Sequence, residues 1–236
     1  MKKTASIFVV MATLYGCSTA PVKQPAQASS SESPTIHAQK GLQYIQSGLV
    51  SEAIIEFDEA IKLCETQYPA DGKKIYTSRT TAESLMYSIQ STNNKESAEV
   101  VDTLCSDAYY IRGSIALNTG RIRDAEFLIK KAVSMAPMNS MYLSALGHIY
   151  QVRREWNLAV DYFTQAEAAA PTYSPDALKA NEYVRAKRGV GFNLIQLGKL
   201  NEAEVKYKEC LALNSGDKSA LDELEYINII RGKTKL

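Results

Sequence analysis

The chain has 236 residues, 45% hydrophobic and 22% charged, with a formal net charge of +1. That supplies a folded core, which excludes wholesale disorder and a collagen-like chain; it lacks the basic excess that displaces counterions from phosphate, which argues against a dedicated nucleic-acid binder. The two histidines, His37 and His148, leave little material for a metal site or a charge-relay triad. No HExxH, GxSxG, GxxxxGK or CxxC motif occurs, so the reading is of a non-enzyme without cofactor or metal.

The first element is a targeting segment. Lys2 and Lys3 precede a mostly apolar stretch from Thr4 to Tyr15. As a helix that stretch is about 18 Å long, against roughly 30 Å of membrane hydrocarbon, so it reads as a secretory h-region and not a span. Leu14-Tyr15-Gly16-Cys17 follows and resembles the bacterial lipobox. The resemblance implies a signal peptide over 1–16, cleavage before Cys17, and acyl chains on Cys17 that anchor the protein in a membrane. Ser18 after the cysteine implies, by the same likeness, sorting to the outer membrane, periplasmic face. Residues 17–34 are rich in Pro and Ser and poor in large apolar side chains, as expected of a disordered tether.

From residue 35 the chain repeats. Gly113 and Gly147, Ala125 and Ala159, Ala132 and Ala166, and Pro137 and Pro171 all stand 34 positions apart. This set resembles the tetratricopeptide repeat (TPR), and four units match its pattern: 34–67 (Gly41, Tyr44, Gly48, Ala53, Phe57, Ala60), 106–139 (Gly113, Gly120, Ala125, Ala132, Pro137), 140–173 (Gly147, Tyr150, Ala159, Phe163, Ala166, Pro171) and 184–217 (Gly191, Gly198, Ala203, Tyr207, Cys210). The likeness implies an all-α, right-handed superhelical solenoid of helix pairs over 35–236. Small residues face one another where paired helices approach most closely, and each pair hides its apolar face only by stacking on the next. Gly189-Val190-Gly191 reads as helix packing and not as a phosphate loop, since no strand precedes it.

Two stretches break the period. Residues 68–105 carry Ile75, Ala82, Leu85 or Met86, and Ile89 at helical spacing, then Asn93-Asn94 as a break, then Ala98, Val101, Leu104 and Ala108. The expectation is a degenerate helix pair, or one helix plus an N-terminal extension of the next. Residues 174–183 open with Ser-Pro-Asp, a helix start with Pro175 in first position, and should lengthen the first helix of the last unit. Residues 218–231, with Leu221, Leu224, Ile227 and Asn228 on one face, read as the capping helix.

In solenoids of this kind the resemblance places binding on the concave face. The positions are Ala38, Leu42, Ile45 and Gln46 in the first unit; Asp107, Tyr110, Ser114, Leu117 and Asn118; Met141, Ser144, His148, Gln151 and Val152; and Arg185, Arg188, Phe192, Ile195 and Gln196. Aromatic, amide and aliphatic side chains with two Arg at one end suit a peptide or amphipathic helix whose carboxylate meets the Arg pair. Cys64 and Cys105 flank the irregular stretch and are a candidate disulfide in an oxidising periplasm; their separation in space is not set by the sequence. Cys210 reads as a buried small residue. The whole points to a lipid-anchored scaffold with a protein or peptide partner, assisting an envelope machine such as a type IV or Tad pilus or a secretion channel, in a pilotin-like role. The alternative is an adaptor that presents substrates to an envelope protease or peptidoglycan enzyme.

Overall fold

The computed structural model describes residues 33–70 and 72–233. The signal segment, Cys17 and most of the tether lie outside the described residues. Among the described residues the order is α1 (Pro34–Gln46), α2 (Val50–Gln67), β1 (Lys74–Thr77), α3 (Thr81–Asn94), β2 (Ala98–Val101), α4 (Leu104–Asn118), α5 (Ile122–Met135), α6 (Ser140–Val152), α7 (Trp156–Tyr173), α8 (Asp176–Gln196), α9 (Leu200–Leu213) and α10 (Lys218–Lys233). Helices α1/α2, α4/α5, α6/α7 and α8/α9 form the four pairs, each packed on its neighbour, and α10 closes the C-terminal end. The described chain is thus a helical solenoid, as the 34-residue period requires.

Each pair holds together through a small residue facing a large one. A Cβ added at Gly147 would stand 2.9 Å from the Phe163 ring, so α6 and α7 can approach only because position 147 has no side chain. The same ring presses on Gly189 of the next unit, which makes Phe163 a wedge between pairs. Gly189 and Gly191 are both mid-helix packing positions. Phe163 and Tyr207 belong to the main core with Ile129, Leu146, Ile149 and Leu194. Gly48, Gly120 and Gly198 end the first helix of their units at φ of 74°, 74° and 73°, and Arg154 holds the equivalent place in the third unit at 59°.

The first helix begins a residue earlier than the tether boundary at 34 implied. Ser33 is its N-cap and accepts the Thr35 amide at 3.3 Å, with Pro34 at the first helical position. The lengthened helix expected from 174–183 is present as the 21-residue α8, with Pro175 at the N-cap and not inside the helix. Helix α10 turns Ala220 and Ile227 inward while Leu221 is 48% exposed, so the apolar face is rotated from the one expected.

Residues 68–105 correct the sequence expectation. They form a β-α-β unit and not a helix pair or a helical extension of α4: β1 and β2 pair in parallel, Ile75 opposite Glu99 and Thr77 opposite Val101. Ala98 and Val101 mimic helical spacing with Leu104 but sit on a strand, and α3 runs through Asn93-Asn94 to stop at Lys95, which is left-handed at φ 55°. Helix α3 is also turned: Glu83 and Tyr87 are buried, while Leu85 and Ile89 are 60% and 49% exposed. The Tyr87 ring stacks on Tyr76 of β1 at 5.0 Å, and its hydroxyl accepts the Met138 amide at 3.0 Å. Cys64 at the end of α2 and Cys105 at the start of α4 are joined as a disulfide, Cα atoms 5.8 Å apart, and so clamp the root of this insert.

Candidate functional site

The first helices of the last three pairs stand side by side and enclose a groove of about 530 Å³. Helix α4 contributes Tyr110, Ser114, Leu117 and Asn118; α6 contributes Ser144, Ala145, His148 and Gln151; α8 contributes Arg185, Arg188, Gly189 and Phe192. Spacings of three and four residues put each set on one helix face. The structure therefore brings together, in one concavity, ten of the residues the repeat positions singled out. Asp107 is not among them. Its carboxylate accepts the Tyr142 hydroxyl at 2.5 Å and the Thr103 hydroxyl at 2.6 Å, and is spent tying α4 to α6. Ile195 also departs from the groove, being 7% exposed within the core, and Leu42 and Ile45 of α1 are exposed outside this cavity.

The electrostatics are asymmetric. Arg188 donates to Asp217 at 3.3 Å, and the same carboxylate oxygen accepts the Ala220 amide at the start of α10. Arg188 is thereby partly committed to holding the cap. Among the described residues Arg185 has no carboxylate within salt-bridge distance, so its guanidinium is the uncommitted cation of the wall. Burial and the nearby Arg185 lower the His148 pKa, which keeps the imidazole neutral at neutral pH. The Gln151 carbonyl oxygen accepts from the Asn193 amide at 3.1 Å, and Asn193 is itself anchored to the Gly189 carbonyl at 2.8 Å. That leaves the Gln151 NH2 as a donor for whatever enters. Ser144, only 3% exposed, also lines the groove with a hydroxyl that has no hydrogen-bond partner among the described residues.

Sequence reasoning missed part of the lining. Phe163 and Tyr207 reach through from the second helices to the groove floor, and Ser219 and Glu223 of α10 close one end. In the sequence Phe163 and Tyr207 read as repeat-pattern positions and 218–231 as the capping helix. Nothing in the sequence marks Glu223 as lining; in the fold burial raises its pKa, with a smaller push from Asp222. What the groove offers is a donor-rich wall, two aromatic patches at Tyr110 and Phe192, and one acidic end. Among the described residues no cluster of His, Cys, Asp and Glu is arranged to hold a metal, and no helix is long and apolar enough to cross a membrane.

Comparison with known proteins locates the repeats. Residues 106–139, the α4/α5 pair, match the tetratricopeptide repeat family model. A stretch of 60 residues, 25% of this chain, is 32% identical to anaphase-promoting complex subunit 3 of Schizosaccharomyces pombe; it spans 9% of that relative, under a tenth of its length. Among solved structures, a segment of MamA from Desulfovibrio magneticus RS-1 superposes with a TM-score of 0.59 at 14% identity, covering 86% of this chain and 87% of that one. Pseudomonas aeruginosa PilF superposes with a TM-score of 0.57 at 16% identity, covering 85% and 69%. At such identities the likeness is one of fold.

Proposed function

We propose that this chain, a solenoid carrying tetratricopeptide repeats, is a lipid-anchored interaction scaffold of the bacterial outer membrane that holds a protein segment in its α4–α6–α8 groove on the periplasmic side. The observation that carries the reading is the groove itself: three helix faces converge on one concavity, and Arg185 on its wall makes no ion pair among the described residues. A guanidinium at the edge of a mixed aromatic and amide surface fits an incoming carboxylate, through charge-assisted hydrogen bonds that neutral donors do not match. The anchor rests on the sequence Leu14-Tyr15-Gly16-Cys17, where three acyl chains would hold firmly and one would not. Within this reading the chain assists assembly of an envelope machine, such as a type IV or Tad pilus or a secretion channel, as a pilotin does.

The test uses the full-length protein in cells. Arg185→Glu should abolish co-purification of the partner after crosslinking while leaving the fold intact. It is preferred to Arg188→Glu, which would also place a second acid beside the buried Asp217. Cys17→Ala should release the chain from the membrane fraction. Capture undiminished by Arg185→Glu would move binding away from the groove; continued membrane pelleting of Cys17→Ala would remove lipidation as the anchor. A channel or pilus component in the captured material supports the assembly role, and a hydrolase in its place replaces that role with a substrate adaptor.

A further inference from the structure

Two departures from the 34-residue period, the β1–α3–β2 insert and the extra turns of α8, are far apart in sequence and meet in space. Arg79, between β1 and α3, donates to both carboxylate oxygens of Glu182 at 2.6 and 3.1 Å. The two side chains are only 9% and 8% exposed, so this is a buried, bidentate pair. Around it the insert is tied down at every unit it crosses. Cys64–Cys105 fixes its root; the Thr77 hydroxyl donates to Ser106 of α4 at 2.7 Å; the Met138 amide donates to the Tyr87 hydroxyl; and the Thr80 hydroxyl donates to the carbonyl of Tyr173, the last residue of α7, at 3.2 Å.

From this geometry we infer that the insert is an internal latch: by gripping Glu182 it sets where α8 stands against α4 and α6, and so positions Arg185 and Arg188 on the groove wall. Glu182 lies one helical turn before Arg185 and Ala186, so a displacement of its turn is passed on rigidly to both arginines. Solenoid units otherwise contact only their neighbours and bend through small inter-unit rotations. A strap running from the first pair to the fourth removes that freedom where the groove is. A buried ion pair suits the task, since its cost in desolvation is recovered only when the two groups meet in one geometry. Glu182 and Arg79 are thus positioning residues; neither lines the groove.

The inference takes the groove as the working site, but its test involves no ligand, so its failure leaves the proposed function standing. Spin labels on Asn118→Cys of α4 and Gln196→Cys of α8, both exposed, in a Cys17→Ala background, report the width of the groove by pulsed dipolar spectroscopy; Cys210 is buried and Cys64–Cys105 stays oxidised. Hydrogen exchange is followed over 176–184 and over 81–94. In Arg79→Met the label distances should broaden or shift, and amides of 176–184 should exchange roughly tenfold faster. Glu182→Met should do the same, and the double variant should widen the label distances no further than the single ones, because each single variant already breaks the Arg79–Glu182 pair. Should Arg79→Met fold poorly by circular dichroism, Glu182→Gln, which keeps a side-chain acceptor for Ser174, gives the same readouts. Unchanged label distances, with faster exchange confined to the insert, would overturn the inference and leave the insert a passive appendage.

Discussion

At the residue scale, one backbone position recurs in all four pairs. Gly48, Gly120 and Gly198 take a left-handed conformation without a Cβ to strain, whereas Arg154 takes it with one. The Arg154 side chain makes no ion pair or hydrogen bond with the described residues that would offset this. Arg154→Gly is therefore expected to raise stability by about 0.5–1 kcal/mol, measured by chemical denaturation.

Glu83 is a second residue with a checkable consequence. It is fully buried beside Arg79, Glu182 and Tyr87, with one carboxylate oxygen accepting the Arg79 amide and the other 4.0 Å from the Arg79 guanidinium, without a hydrogen bond among the described residues. Burial raises its pKa, against the opposing pull of the Arg79 hydrogen bond and charge. The folded state then holds the proton more tightly than the unfolded one, so Glu83 contributes stability that is fully present below about 4.5 and is lost as pH rises through the raised value. The Tm of Glu83→Gln relative to the natural protein should accordingly climb from pH 4.5 to pH 8; a constant difference would contradict the sign. Glu126, Glu204 and Glu209, whose pKa values are lowered mainly by hydrogen bonds from Lys130, Lys208 and Lys187, act in the opposite direction in both proteins and cancel in this difference.

At the scale of elements, the pairs were legible in the sequence and the insert was not. Helix pairs announce themselves because the small-to-large contacts, such as Gly147 with Phe163 and Gly191 with Tyr207, recur at a fixed spacing that backbone geometry imposes. Strands β1 and β2 are four residues each and owe their existence to one another, 24 positions apart in register, a pairing no local window contains. The rotation of α3 was equally hidden. Its apolar stripe at Leu85 and Ile89 faces outward because Arg79 draws Glu83 inward while Tyr76 and the Met138 amide hold Tyr87, and all three partners lie outside the helix. The groove divides the same way. Ten of its residues follow from repeat position alone, whereas Asp107 left it for the Tyr142 hydroxyl, and Ser219 and Glu223 entered it from a helix outside the repeat register.

The disulfide belongs to this scale because it closes the insert. It links residues 41 apart, a loop for which chain entropy alone gives about 3–4 kcal/mol. Replacing both cysteines with serine should lower stability by roughly that amount in urea titrations. The β-α-β unit should then become the first region to lose protection from exchange. Loss of less than about 1 kcal/mol would show that the insert is held by its hydrogen bonds and the Arg79–Glu182 pair alone.

At the scale of the whole molecule, the near-neutral composition conceals a division of labour. The apolar fraction is spread along stacked pairs, and the concavity is shared by α4, α6 and α8 and closed by α10. Several charges hold helices together, as in the Lys187, Glu167, Lys206 and Glu209 network joining α7, α8 and α9. Arg185 combines the lack of an ion pair among the described residues with a place inside the concavity, which is why the groove and not the convex side is assigned the binding role. The most direct measurement places a photo-crosslinking side chain in cells at Leu117 or His148, inside the groove, and at Val205, 53% exposed on the second helix of the last pair. The account predicts discrete adducts to one partner from Leu117 and His148, lost on Arg185→Glu, and none from Val205; adducts from Val205 alone would contradict it.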